Sequence, residues 1–232
     1  MLADNLKSEW EDSYLNRDNY VFHPHEEVIR FVSKYIRKRV GLNQFSDVTL
    51  GTPGRVLDLG CGIGRHVMFC HDMGLEAFGT DLSETAIDTA IEWADSRGAK
   101  NLIPRLVQSD ARELQWDSRF FQYAISHGVL DSMPLALARA VTSELARVLV
   151  EGGLFYCDLV SGDDSFHARE FSGQETVTTT HEKGTVQLYF NLSLIHTLFD
   201  GLFNIVECNL IRRENVVKGG FTSRYHLVLQ KI

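Results

Sequence analysis

Residues 55–66, read as RVLDLGCGIGRH, leave the chain few folds to choose from. Val56 and Leu57 close a short apolar run of strand character and Asp58 follows. Gly60, Gly62 and Gly64 then alternate with other residues before Arg65-His66-Val67-Met68-Phe69 resumes a helical pattern. A strand, a glycine-rich turn and a helix in that order belong to α/β architectures. Glycine has no side chain and reaches positive φ, so backbone at such a turn can lie against a ligand, beside the exposed N–H groups of the next helix. A dinucleotide fingerprint needs a third glycine three positions after the second. Counted from either glycine pair, that position holds Arg65 or Val67, and the nicotinamide reading loses its main support.

The rest of the chain supplies the alternation that such a turn requires. Glu76 to Asp81 reads as a second strand, and Ser83 is a good cap for a helix over Glu84 to Arg97. Leu102 to Gln108 is expected as a third strand ending in Ser109-Asp110-Ala111, and Phe121 to Ser126 as a fourth, followed by His127-Gly128-Val129-Leu130-Asp131. Pro134 opens a helix with Leu137, Val141, Leu145, Val148 and Leu149 on one face. Glu151-Gly152-Gly153 is expected to stop it before a fifth strand from Leu154 to Val160. Strands alternating with helices predict a parallel sheet covered on both faces. Ser161 to Gly184 is long and polar and is expected as a loop. A strand at Gly184 to Phe190, a helix at Ser193 to Phe199 and strands at Phe203 to Arg213 and Ser223 to Lys231 complete the chain.

Upstream of the glycine turn, residues 1–23 are polar with interspersed Trp10, Tyr14, Tyr20 and Phe22, suited to a short packed helix or to a lid. After Pro24 the spacing of Val28, Phe31, Val32, Tyr35, Ile36 and Val40 predicts a helix through Val40, with Leu42 to Gly54 a loop. Arg37-Lys38-Arg39 is then the solvated end of that helix.

The pattern Asp58-x-Gly60-x-Gly62-x-Gly64 resembles the first motif of the class I S-adenosylmethionine-dependent methyltransferases, and so does the stretch ARVLVEGGLFY. The resemblance implies a Rossmann-like, doubly wound α/β fold: a seven-stranded sheet, mostly parallel with an antiparallel last strand, helices on both faces. It divides the chain into an N-terminal helical segment or lid over residues 1–45 and a cofactor-binding domain over 46–232. It implies S-adenosyl-L-methionine as cofactor, with the glycine loop (Asp58, Gly60, Cys61, Gly62, Gly64) around its methionine part. Asp81, beside Leu82, would lie at the ribose hydroxyls, and Asp110, beside Ala111, at the adenine amine. A carboxylate accepts and those groups donate, so the chemistry agrees. The structural alternative for Asp81 is a capping or turn residue, and taken alone Asp110 is an ordinary loop residue. Arg65 is placed to meet the cofactor's carboxylate or to face solvent.

Methyl transfer from a sulfonium asks mainly for alignment and exclusion of water, and a base helps only where the nucleophile must lose a proton. His127 leaves the fourth strand beside the expected crevice and is the first catalytic candidate, as a base, as a contact to cofactor or substrate, or as a structural histidine. Asp131 is the second. His23, His25, His167 and Glu175 follow behind it, each read first as a surface residue. Tyr14, Tyr20 and His23 are candidates for contacting substrate.

Several classes are set aside. A net charge of -8 gives no footprint for gripping nucleic acid, and Ser-His-Gly-Val after the fourth strand lacks the Asn/Asp-Pro-Pro-Tyr motif of nucleic-acid amine methylation. Four widely spaced cysteines suggest neither a disulfide framework nor a metal site. With 232 residues, 44% of them hydrophobic, and no long apolar run, the expectation is a cytoplasmic monomer or homodimer away from membranes. The reaction expected is methyl transfer to a small-molecule acceptor by direct in-line substitution. The alternatives are a protein or RNA methyltransferase and a non-catalytic module that binds the cofactor.

Overall fold

The computed structural model describes residues 2–48, 54–168, 170–179 and 183–232, with side chains from residue 7 onward. The chain opens with helix α1 (Leu2–Leu15) and helix α2 (Glu26–Phe31), the latter running into a π turn at Val32–Ile36. A hairpin of β1 (Arg37–Gly41) and β2 (Gln44–Asp47) follows. Then come β3 (Arg55–Leu59), α3 (Arg65–Asp72), β4 (Glu76–Asp81), α4 (Glu84–Ser96), β5 (Leu106–Gln108), β6 (Phe121–Ser126) and α5 (Leu135–Val148). The remainder is β7 (Leu149–Val160), β8 (Gly173–Thr176), β9 (Val186–Tyr189), α6 (Leu192–Phe199), β10 (Phe203–Glu214) and β11 (Phe221–Lys231).

Seven strands form one sheet in the order β10-β11-β7-β6-β3-β4-β5. The five from β7 to β5 are parallel, and β11 runs antiparallel to both β7 and β10. The period-2 alternation of β3 and β6 sends side chains to two apolar layers. Leu57, Leu59 and Ala124 join Val141 and Leu145 of α5 and Ile195 and Leu198 of α6 on one face. Val56 and Ile125 join Val28 and Phe31 of α2, Val67 of α3 and Ile87 of α4 on the other. This is the doubly wound sheet expected, with its antiparallel last strand. Its three central parallel crossovers place the carboxyl ends of β3, β4, β5 and β6 along one rim.

The differences from expectation have local causes. The helix entered at Pro24 ends at Ile36, and the basic run becomes strand. Arg37 donates to Asp47 Oδ1 at 2.6 Å and to the carbonyl of Gly74 at 3.0 Å, partners that only an extended backbone across from β2 supplies. Residue 45, the last of the expected N-terminal segment, therefore lies inside β2. Part of the loop expected before Gly54 is also β2, while residues 49–53 lie outside the described residues.

Pro104 cannot donate to a ladder. The start of the expected third strand is accordingly a 3-10 turn at Ile103–Arg105, and β5 is short. Helix α5 stops at Val148 and β7 begins before the glycines, which form a bulge within it: Phe121 pairs with Leu149, but Tyr123 pairs with Leu154. The stretch expected as a loop after Ser161 contains β8, paired antiparallel with β9 from Gly173↔Tyr189 to Thr176↔Val186.

Candidate active site

The glycine loop is pinned by the end of the neighbouring strand. Gly60 N and Cys61 N both donate to the carbonyl of Thr80, at 2.8 and 2.9 Å, and Gly62 N donates to Asp81 Oδ2 at 2.8 Å. Gly60 and Gly62 adopt φ of +69° and +53°. A Cβ on Gly60 would lie 2.4 Å from Val129 Cγ2, and one on Gly62 would lie 2.5 Å from the Tyr14 hydroxyl. Positive φ and crowded space together require glycine at these two positions. Gly64, at the N-cap of α3, instead permits packing on α4, since its Cβ would meet Ala90 at 3.2 Å.

The loop borders a cavity of about 310 Å³. Of the residues expected to hold cofactor, Gly60, Cys61, Gly62, Arg65, Asp81, Leu82, Asp110, Ala111 and His127 line it, whereas Asp58 and Gly64 lie behind the loop. Asp58 is buried with neither carboxylate oxygen in a hydrogen bond among the described residues, and His66 Nδ1 stands 3.7 Å away. Asp81 Oδ1 accepts from Ser83 N at 3.0 Å. Burial, with Asp58 nearby, pushes its pKa up to about 6 against the backbone N–H groups of Ser83, Gly62 and Leu82 that favour the charge. Each of its oxygens retains a lone pair for a further donor. Asp110 is half-exposed, and its carboxylate is held by Arg112 Nε at 3.0 and 3.1 Å.

Residues before Pro24 roof the cavity. Trp10, Tyr14, Asn19 and Val21 line it, and Tyr14 packs with Ile63 and Ala86. Glu11 accepts from Thr85 N at 3.2 Å, the Tyr20 hydroxyl bonds Thr89 Oγ1 at 3.0 Å, and Phe22 meets Trp93 edge-on at 5.0 Å. Of the expected substrate contacts, Tyr14 alone faces the cavity. Tyr20 is turned to α4, and His23 is exposed away from it.

At the rim of β6 the structure assembles a group that no local pattern announces. His127 Nδ1 lies 3.2 Å from Arg65 Nη2. Guanidinium only donates, so Nδ1 is the acceptor and the proton of the neutral ring is on Nε2. Nε2 faces Asp158 Oδ2 at 3.5 Å. Burial lowers the pKa of His127 to about 3, with neighbouring His66, His25 and Arg65 acting in the same direction and Asp158 against it. Asp158 is fully buried on β7, where Oδ1 accepts from Gly128 N at 2.7 Å and Oδ2 from Arg224 Nε at 2.8 Å. Burial pushes its carboxyl up, but Arg224, His127 and that N–H together hold it below the usual carboxylate range.

Asp131, grouped with His127 as a catalytic candidate, does not line the cavity. Its Oδ2 accepts from Val160 N at 2.8 Å and from Arg224 Nη2 at 2.6 Å, and its carbonyl accepts from Leu188 N and Gln187 Nε2. That geometry is an anchor between β7, β9 and β11.

His25 is no plain surface residue either: its Nδ1 caps α2 by accepting from Glu27 N, its ring meets that of His127 at a tilt with centroids 4.3 Å apart, and it stacks on His226 at 5.6 Å. His167 likewise sits between Asp164 at 2.8 Å and Glu175 at 3.2 Å, stacked on Phe171.

Residues 56–153 match the family model of a methyltransferase domain. Over that stretch the chain carries a methyltransferase domain. That family uses S-adenosylmethionine as its methyl donor, and the domain spans the glycine loop, Asp81, Asp110, His127 and the start of β7. Among solved structures, the chain is similar to 1,6-didemethyltoxoflavin-N1-methyltransferase of Burkholderia thailandensis, crystallised with 1,6-didemethyltoxoflavin and S-adenosylhomocysteine: 17% identity, TM-score 0.72, 99% of this chain and 88% of that one covered. An S-adenosylmethionine-dependent methyltransferase of Methanosarcina mazei aligns at 17% identity and TM-score 0.67, covering 90% of this chain and 99% of that one. The [4+2]-cyclase SpnF aligns at 17% identity and TM-score 0.63, covering 88% and 80%. These likenesses establish the fold of the methyltransferase. No curated protein sequence matches the chain significantly.

Proposed function

We propose that this methyltransferase passes a methyl group from S-adenosylmethionine to a small-molecule acceptor by direct in-line substitution. The observation that carries the reading is the convergence of a positive-φ glycine loop with Asp81 and Asp110, at the ends of three consecutive parallel strands, on one roofed cavity. Asp81 would accept from the ribose hydroxyls, Asp110 from the adenine amine, and Gly60 and Gly62 would lie flat against the methionine part. Asp58 would act from behind the loop, where its unbonded oxygens favour positive charge. Bound there, the cofactor supplies an electrophilic methyl on a sulfonium, a good leaving group, so the protein's task is alignment and exclusion of water. Trp10, Tyr14, Asn19 and Val21 close the cavity from above, which favours an acceptor small enough to be enclosed over a protein or RNA chain.

Titration calorimetry with S-adenosylmethionine, S-adenosylhomocysteine and NAD tests the cofactor half. Micromolar-range binding of the first two and none of NAD is expected. Failure of both sulfur compounds to bind removes the reading. Release of S-adenosylhomocysteine across a panel of small alcohols, phenols and amines then tests the acceptor half, and turnover only on protein or RNA overturns it.

A further inference from the structure

The fourth strand's end and the sheet's last strand converge on the side of β3 away from Asp81 and Asp110. Because β6 and β4 flank β3, His127 stands across the glycine loop from the residues that would hold the nucleoside. It is fixed there from behind. Asp158 is fully buried, its Oδ1 is taken by Gly128 N, the residue following His127, and its Oδ2 by Arg224 Nε. The second arm of Arg224 is held by Asp131, whose Oδ2 also accepts from Val160 N. The carboxylate 3.5 Å from His127 Nε2 therefore cannot rotate away without breaking its bonds to the turn after β6 and to β11. Among the described residues, Arg65 and His66 on α3 and His25 before α2 also act on the ring, with His226 on β11 stacked behind His25 and the acid Asp58 behind His66 at 3.7 Å.

We propose that Asp158, clamped by Arg224, is a positioning residue that holds His127 as the Nε2–H tautomer, so that Nδ1 turns a lone pair to the cavity for a methyl acceptor that carries a proton on its attacking atom. This deepens the methyl-transfer reading and rests on it for the identity of the reaction. An alcohol, phenol or N–H acceptor is the class selected, since a carboxylate or thiolate brings no proton for Nδ1 to receive. In the step, the lone pair of the acceptor's oxygen or nitrogen forms the new bond to the methyl carbon, the electron pair of the C–S bond returns to sulfur, and the acceptor's proton passes to Nδ1. The imidazolium so formed has its Nε2–H 3.5 Å from Asp158 Oδ2, close enough for the carboxylate charge to stabilise it until the proton leaves to water. Arg65, which donates to Nδ1 in this structure, yields that lone pair to the acceptor's proton.

The test reads the ring nitrogens directly. In protein labelled with 15N-histidine, long-range proton–nitrogen correlation near neutral pH is expected to show His127 with a protonated Nε2 and a bare Nδ1, assigned by loss of the signal in His127→Gln. A protonated Nδ1 in the wild-type protein overturns the proposal, whatever the variants do. Asp158→Asn is expected to release the ring into a mixture of tautomers while the amide spectrum stays that of a folded protein, and Asp158→Glu to restore the single form. A single unchanged tautomer in folded Asp158→Asn overturns the positioning role.

With S-adenosylhomocysteine bound, phenol is expected to shift the Nδ1 resonance and benzoate to leave it in place. A response to benzoate alone, or to neither probe, overturns the acceptor class. Failure of S-adenosylhomocysteine to bind would count against the methyl-transfer reading instead, and the tautomer measured without it would still judge the role of Asp158.

Discussion

The two sides of strand β3 are built in different ways. On the β4–β5 side the working parts are backbone N–H groups and acids that sit at the ends of consecutive strands, and they reach the cavity because the chain visits those strands in order. On the β6–β7–β11 side the working parts are side chains at positions 65, 127, 158 and 224, brought together because the last strand inserts beside β7. The first side is a local device, and a short segment specifies it. The second is an assembly whose parts have meaning only once the sheet is complete.

That division is open to attack by substitution. The largest effect is expected from Asp158→Ala, which leaves Arg224 and His127 without their buried carboxylate. Denaturant unfolding should show a loss of about 3 kcal/mol. Calorimetry should meanwhile find S-adenosylhomocysteine affinity within roughly twofold of wild type, because among the described residues no hydrogen bond joins Asp158 or Arg224 to the glycine loop, Asp81 or Asp110. A matching loss of affinity would mean that the sides are one unit.

The pH dependence has a definite sign. Asp158 titrates lower in the folded protein than in the unfolded chain, so its stabilisation is present above the ordinary carboxylate pKa and is lost as pH falls below it. Acid unfolding of wild type should therefore be steeper than that of Asp158→Ala.

On the opposite side, Asp81→Ala should weaken S-adenosylhomocysteine by about 1–3 kcal/mol if both ribose hydroxyls donate to it. Those donors favour the charged form, so binding lowers a pKa that burial has raised to about 6. Wild-type affinity should thus be flat above that pH and fall by up to about tenfold per unit below it. Asp81→Ala should lose the dependence, and persistence of it would assign the titration elsewhere.

Gly60→Ala should cost about 1–2 kcal/mol of stability through its positive φ alone, read by thermal unfolding. Pairing it with Val129→Ala should recover only the part that comes from the clash. The smallest effect is expected from Tyr20→Phe, about 0.5–1.5 kcal/mol of stability from the bond to Thr89, with cofactor affinity unchanged.

The same division explains what could be read before folding. Asp58, the glycines, Asp81 and Asp110 are legible because a strand end and the turn after it are contiguous in sequence. The parallel sheet is legible for the same reason, each strand being a short apolar run between breakers, while its antiparallel finish follows from the family resemblance. Arg37-Lys38-Arg39 reads as a helix end because helical spacing of apolar residues continues through Val40, while the strand partner that captures Arg37 lies across a hairpin.

Asp158 and Arg224 carry a fainter signal. Each is a lone charge within an apolar strand, Leu154-Phe-Tyr-Cys-Asp-Leu-Val and Tyr225-His-Leu-Val after Arg224, and a charge buried in a sheet must find a counter-charge. Sequence alone gives the need for a partner but not which of many it is. Asp131 looked catalytic for the converse reason, since its place after the fourth strand says nothing about which way its carboxylate turns.

The insertion of β11 between β10 and β7 also orders events during synthesis. A ribosome delivers β3 through β7 first, so the glycine loop and its acids can assemble while β7 still presents an open edge. That edge stays unpaired until Arg224 to Gln230 arrive opposite Val160 to Leu154. Until then Asp158 is a buried-strand charge without its guanidinium, exposed on the surface most prone to pairing with the wrong chain. A nascent chain would therefore be able to recognise nucleoside before its histidine is set, and binding would precede catalytic competence by the time needed to translate the last strand.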